Sequence, residues 1–247
     1  MRGLRSKTRE DRRSGLARAL SKQGVCSRSI AAQLIHAGRV RLDGYVVRDP
    51  EAPTTPTSRI EIDGEGLKTA APIYLMLNKP RGLVTTARDE QDRATVYRCF
   101  QDSALPWMAP VGRLDQASEG LLLFTNDSAW ASAILDPVRH VTKTYHVQVE
   151  GIPDAATLGR LTAGLTAADG ERLSASSAAL LRRGTRNAWL EVVLTEGKNR
   201  QIRRLLEAVD HPVTRLIRVA LGPLELGVLA KGQWRTLTAE EVGVLAP

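Results

Sequence analysis

The chain has 247 residues, 43% apolar and 25% charged, enough for one large domain or for a small domain joined to a larger one, with a composition ordinary for a globular protein that has a core. Its apolar runs stop at five residues, against the roughly 18 that a membrane span takes, and the Arg-rich start lacks the apolar stretch of a secretory signal. The sequence therefore implies a cytoplasmic protein without a membrane partner, and its two cysteines and four scattered histidines exclude a disulfide scaffold and offer no metal-ligand spacing.

Net charge is +8, unevenly spread: residues 1–70 carry 14 Lys/Arg against 8 Asp/Glu, or +6, and residues 71–247 carry 21 against 19, or +2. A basic front segment on a nearly neutral remainder suggests a module that binds a polyanion. Residues 1–13 read as a disordered basic tail. From Leu16 the spacing of Leu16, Ala19 and Leu20 predicts a helix that Gly24 stops. Ser27 is placed to cap a second helix with Ile30, Leu34 and Ile35 inward, ended by Gly38. In "VRLDGYVV", Asp43-Gly44 between apolar runs signals a two-residue hairpin, and "RIEID" (59–63) supplies a further strand.

Arg18, Lys22, Arg28, Arg39 and Arg41 stud this segment. Arg18 and Lys22 share a helix face away from the apolar stripe, where they can meet phosphates without burying charge. Residues 14–64, with Gly24, Ser27-Arg28, Gly38-x-Val40 and Asp43-Gly44, resemble the RNA-binding module named after ribosomal protein S-four. "EGLKTAAP" (65–72) is small, polar and Pro-terminated, and reads as a linker.

Beyond it, strands are expected in "IYLMLNKP", "GLLLFTND", "KTYHVQVEG" and "WLEVVLTEG". In the third, Lys143, Tyr145, Val147 and Val149 alternate with Thr144, His146 and Gln148. Helices are expected from Pro153-Asp154 to Leu161, and after an Asn199 cap with Ile202, Leu205, Leu206 and Val209 inward. The expected fold class is α+β: a small α/β RNA-binding domain, then a larger domain (73–247) with a mixed, mostly antiparallel sheet.

Lys198, Arg200, Arg203 and Arg204 crowd the start of that last helix. Each exposed cation there costs around 0.3–1 kcal/mol against the helix dipole, which makes sense if an anion arrives, a phosphate or a carboxylate. Asp115 in "GRLDQASEGLLLFTND" (112–127) is a candidate carboxylate, with Glu119 the obvious second. Read alone, Asp115 is better explained as a turn residue between strands, and Tyr145 as a core residue on the apolar face of its strand.

"NKPRGLVTT" (78–86), "GRLDQASEGLLLFTND", "KTYHV" (143–147) and "GKNRQIRRLLE" (197–207), in this order and at these separations, resemble the RsuA/RluB/RluE/RluF family of pseudouridine synthases. The resemblance implies the pseudouridine synthase fold for 73–247 and, for the whole chain, isomerisation of a uridine within RNA. By that likeness Asp115 is the catalytic carboxylate, Tyr145 stacks on the target base, and Arg203 pairs with the Asp. Ile202 would line the pocket, Arg113 would help hold the flipped nucleotide, and Lys79-Pro80 would stand at the cleft. Lys79, Lys143, Arg200 and Arg204 join the expected RNA contacts. Where the family often has Asp or Asn two residues after the catalytic Asp, this chain has Ala117.

The family needs no metal or other cofactor, and its base must leave the stack to be reached. The expected partner is ribosomal RNA or an assembling ribosomal subunit, the large subunit first, met by a monomer. The same chemistry on small-subunit or transfer RNA stays open, as does a non-catalytic ribosome-assembly factor. So does the role of the Asp: attack on the sugar, attack on the base, or removal of a sugar proton.

Overall fold

The computed structural model describes residues 14–67, 70–87 and 89–246; the expected basic tail lies outside them. The chain divides into a smaller unit built on residues 14–73 with Ser103–Ala109 and Thr125–Ser128, and a larger unit built on the remainder.

In the smaller unit, helices Leu16–Lys22 and Arg28–His36 pack around Leu16, Leu20, Ala31, Ile35, Val40 and Ile60. Ser27 caps the second helix, accepting the Ile30 N–H at 3.2 Å. Ile30 itself is 45% exposed, because Ala31 and Ile35 carry the buried stripe one position further on. Val40–Leu42 pairs with Tyr45–Val46 across Asp43 (φ 51°) and Gly44 (φ 88°), two positive values that match the right-handed twist of a tight hairpin. Asp63-Gly64 repeats the device between Ile60–Ile62 and Glu65–Gly66, so the head of the stretch read as a linker is a fourth short strand.

The larger unit is built on a nine-stranded sheet. Its main path runs Ser177–Arg183, Asn187–Leu194, Lys143–Glu150, Val213–Leu221, Glu119–Thr125, Tyr74–Lys79, Trp234–Thr236. Val213–Leu221 meets Glu119–Thr125 in parallel, and the outer pairings are antiparallel, so the α+β expectation with a mixed sheet is met. Every residue of Glu119–Thr125 is buried, as a run without alternation requires. At Gly120 (φ 102°) the parallel crossing is so close that a Cβ would lie 2.2 Å from the Arg218 carbonyl oxygen.

One face of the sheet packs Val147, Val149, Leu190 and Leu216 against helices Ala155–Ala163 and Gln201–Glu207. Asp154 caps the first of these, accepting the Thr157 N–H at 2.8 Å. A second core joins Met76, Leu121 and Leu123 to Trp130, Ile134 and Leu245. Helix Ala239–Leu245, which the sequence reading missed, opens on a full capping box of Thr238 and Glu241. Among the described residues no helix is long and apolar enough to cross a membrane.

Candidate active site

Residues 112–118 connect the short strand Ala109–Val111 to the buried strand Glu119–Thr125. From Leu114 to Ser118, five consecutive carbonyls each accept a hydrogen bond. Thr85 Oγ1 donates to Leu114 O (2.6 Å), the Gly82 N–H to Gln116 O (2.8 Å), and Arg203 Nη2 to Ala117 O (3.4 Å). Lys79 Nζ donates to Asp115 O (3.1 Å), Ser118 O (2.9 Å) and Pro80 O (3.2 Å). A loop with each of these carbonyls engaged has little freedom to move, so the Asp115 carboxylate leaves from a fixed base.

Lys79, expected as an RNA contact, is fully buried and serves this loop instead. Burial pushes its ammonium down to about 8, with the Asp115 carboxylate opposing the shift most strongly.

The Asp115 side chain is 38% exposed and its nearest cation is Arg200, Nη1 to Oδ2 at 3.8 Å. The expected pairing with Arg203 is therefore corrected. Arg203 donates to Val213 O (3.0 Å) and to Ala117 O, so it supports the Asp115 loop without hydrogen-bonding the carboxylate. Burial, then Arg200, lowers its pKa from the usual guanidinium value. The helix also begins differently than expected. Asn199 does not cap it; Arg200 stands at the cap position in the left-handed region (φ 48°). The turn is closed by Gln201, whose Oε1 accepts the Lys198 N–H (3.2 Å) while Nε2 donates to Ser174 O (2.9 Å) and Glu196 (2.6 Å).

Asp115 stands on the wall of a cavity of about 580 Å³, the size of a small-ligand site. Tyr145, Ile202, Leu216, Lys143 and Arg218 line it as well. Tyr145 lies on the core face of its strand, part-buried beside Val147 and directly opposite Arg218. Ile202 is buried on the helix. Lys143 is half-buried, donates to Val141 O (2.8 Å), and is pushed to lower pKa by burial, then by Arg218. Arg113, Lys198 and Arg200 also border the cavity, giving it more cations than carboxylates. The pocket thus presents a tyrosine ring, a carboxylate and several cations to one space.

The second carboxylate is elsewhere occupied. Glu119 is buried and held by Arg215 (2.7 and 3.1 Å) and Lys231 (2.5 Å). Arg204 is likewise paired, with Asp169 (2.5 Å) and Glu171 (2.8 Å), rather than open to a ligand. In the smaller unit Arg18, Lys22 and Arg28 are exposed. Arg39 is bidentate to Asp63 (2.9 and 2.5 Å), and Arg41 donates to Gly44 O (3.2 Å). Sequence reasoning missed Thr85, Gly82 and Arg218. Thr85 and Gly82 lay inside a motif it quoted, whereas Arg218 is about 100 residues from Asp115 and carries only the two-residue period of its strand.

Known proteins share this architecture. The profile of the RNA pseudouridylate synthase family matches residues 73–208, and that of the S4 domain matches residues 15–60. The ribosomal large subunit pseudouridine synthase B of Bacillus subtilis is 35% identical over 229 residues, 92% of this chain and 93% of the relative. An uncharacterised RNA pseudouridine synthase of Aquifex aeolicus is 38% identical over 92% of this chain and 91% of its own. A crystal structure of a pseudouridylate synthase superposes with a TM-score of 0.66 at 26% identity, covering 94% of this chain and 99% of the other. With an S4 domain at its front and the synthase profile over more than half its length, the chain belongs to the RNA pseudouridylate synthase family.

Proposed function

We propose that this protein isomerises a uridine of ribosomal RNA, in the large subunit, to pseudouridine, with Asp115 as the catalytic carboxylate. The observation that carries the reading is a carboxylate on an immobilised loop at the wall of a cavity that also holds Tyr145. The uridine leaves its stack, its base lies against Tyr145, and Ile202 closes the apolar side. The bond from C1′ to N1 breaks, the base turns, and C5 bonds to C1′. The C5 proton is released and N1 takes one up, so the RNA keeps its mass.

Pre-positioning is the enzyme's main contribution here: a reacting group held at one geometry removes much of the entropic barrier. Arg200 places a guanidinium beside the Asp115 carboxylate, Nη1 to Oδ2 at 3.8 Å. Arg113 and Arg200, at the rim, meet the RNA backbone, and the exposed Arg18, Lys22 and Arg28 of the S4 domain dock it. The ribosomal target follows the name of the Bacillus relative. The protein acts as a monomer in the cytoplasm.

The test is nucleotide-resolution pseudouridine mapping of ribosomal RNA after a knockout is complemented with wild type or Asp115→Ala. A large-subunit site restored only by wild type is the expected result. A small-subunit or transfer-RNA site would move the substrate, release of free uracil would make the protein a glycosylase, and no site at all would leave an RNA-binding assembly factor.

A further inference from the structure

The most deeply buried cation on the cavity wall, Arg218, is not used by this scheme. Arg218 follows Leu216 by two residues on strand Val213–Leu221, so its side chain shares the core and cavity face. It stands opposite Tyr145 in the antiparallel pairing, beyond an irregularity at the Thr144–Tyr145 step. Cross-strand partners on one face stand about 4.5–5.5 Å apart at Cβ. The residue is only 5% exposed. Its Nε donates to Leu121 O at 2.7 Å, which fixes the plane of the guanidinium. Its Nη2 is buried with no hydrogen-bond partner among the described residues. An ionised donor left unpaired in a dry interior is unfavourable, and a site of this kind calls for a ligand that completes it.

We propose that Arg218 is a substrate-binding residue whose unpartnered guanidinium edge hydrogen-bonds a carbonyl oxygen of the uracil lying on Tyr145. The inference rests on the pseudouridine synthase reading above. Depth separates the base from the backbone as its partner. Arg113 and Arg200 are exposed at the rim, where a hydrated phosphate stays, whereas Arg218 is buried beside the stacking ring and reaches what enters furthest. A guanidinium also suits the chemistry. When the C1′–N1 bond breaks with its electron pair left on N1, the uracil carries a negative charge shared with its two carbonyl oxygens. A buried, fixed cation beside the base favours that state more than the neutral nucleotide. The charge is spent as C5 bonds to C1′, C5 releases its proton and N1 takes one up.

The experiment compares full-length wild type, Arg218→Gln and Arg218→Lys on unmodified transcripts of the host's ribosomal RNAs, measuring RNA affinity, thermal melting and single-turnover pseudouridine formation. Arg218→Gln is expected to react about 100- to 1,000-fold more slowly, with RNA affinity nearly unchanged, and Arg218→Lys to recover part of the rate. A folded Arg218→Gln that reacts like wild type overturns the proposal. So does a rate loss that merely follows the loss of folded protein, or failure of both variants to fold, since Arg218 would then be a strut for Leu121. If wild type itself forms no pseudouridine on any transcript, the functional reading fails first, and Arg218 loses its assigned ligand with it.

Discussion

The Asp115 loop and the basic surface of the S4 domain do opposite things with their polar groups. Along the loop, each carbonyl from Leu114 to Ser118 has a donor, and one of the donors is a fully buried lysine. On the S4 domain, Arg18, Lys22 and Arg28 stand in solvent. A group that does chemistry has to be held to a fraction of an ångström, because a misplacement of about 1 Å can cost 10²-fold. A group that attracts a phosphate needs reach and charge, and loses little by moving. The difference predicts that damage to the loop shows as lost rate, and damage to the S4 surface as lost affinity.

The largest expected effect is at the carboxylate. Asp115→Ala should reduce single-turnover pseudouridine formation on the order of 10⁴-fold or more, with melting temperature and RNA affinity close to wild type; equal loss of affinity would erase the distinction drawn above.

Next comes the loop's support. Lys79→Met leaves Ser118 O without its donor and weakens the hold on Asp115 O, at roughly 1–3 kcal/mol for a carbonyl left unpaired, and should slow the reaction about 100-fold. Its stability cost should also depend on pH. Lys79 titrates near 8 in the fold, below its ordinary 10.5, so the unfolded chain holds more protons between those values. Wild-type stability therefore gains from this residue as pH rises through that window, and the gap between wild type and Lys79→Met widens. Melting curves of both proteins at pH 7.5 and 10, values chosen at about the two ends of the window, check the sign.

Stacking is smaller. Tyr145→Ala should cost roughly 10- to 100-fold and Tyr145→Phe only a few-fold, if the ring face is what the base uses; equal losses would shift the role to the hydroxyl. The smallest effect on rate belongs to the surface. Alanine at Arg18, Lys22 and Arg28 together should weaken RNA binding and flatten its log–log salt dependence by about 2–3, leaving the rate at saturating RNA unchanged. A rate loss there, with binding intact, would break the comparison.

What the sequence made legible was local. Asp43-Gly44, the Ser27 cap and the helix start at Asp154 depend on residues within a turn of one another, and each formed where its chemistry required. The Thr238–Glu241 capping box was equally local and simply went unread. The motif order around Asp115 and Tyr145 carried the family. The partners within the site were not legible, because they are set by strand crossings. Asn199 looked like a cap since it precedes the helix; Arg200 takes the cap position with no side-chain cap, and Gln201 folds back from inside the helix to close the preceding turn. Glu119 looked like a second carboxylate until Arg215 and Lys231, about 100 residues on, closed around it. Arg203 and Arg200 differ by about one turn of backbone, yet Arg200, left-handed at the helix start, meets Asp115 while Arg203 is taken up by Val213 O and Ala117 O.

The contact at Gly120 bears on how such an enzyme can diverge. There the strand leaving the Asp115 loop touches the backbone of the strand that carries Arg218. The spacing of the two strands is thus set by main chain against main chain at that point, with no side chain between them. Hydrophobic exchanges in the two cores can accumulate over generations without moving this fixed point, so relatives could drift far in core composition while keeping one site geometry. A single methyl group at position 120 would meet the backbone of the neighbouring strand directly, which makes a glycine with no chemistry of its own an unforgiving position.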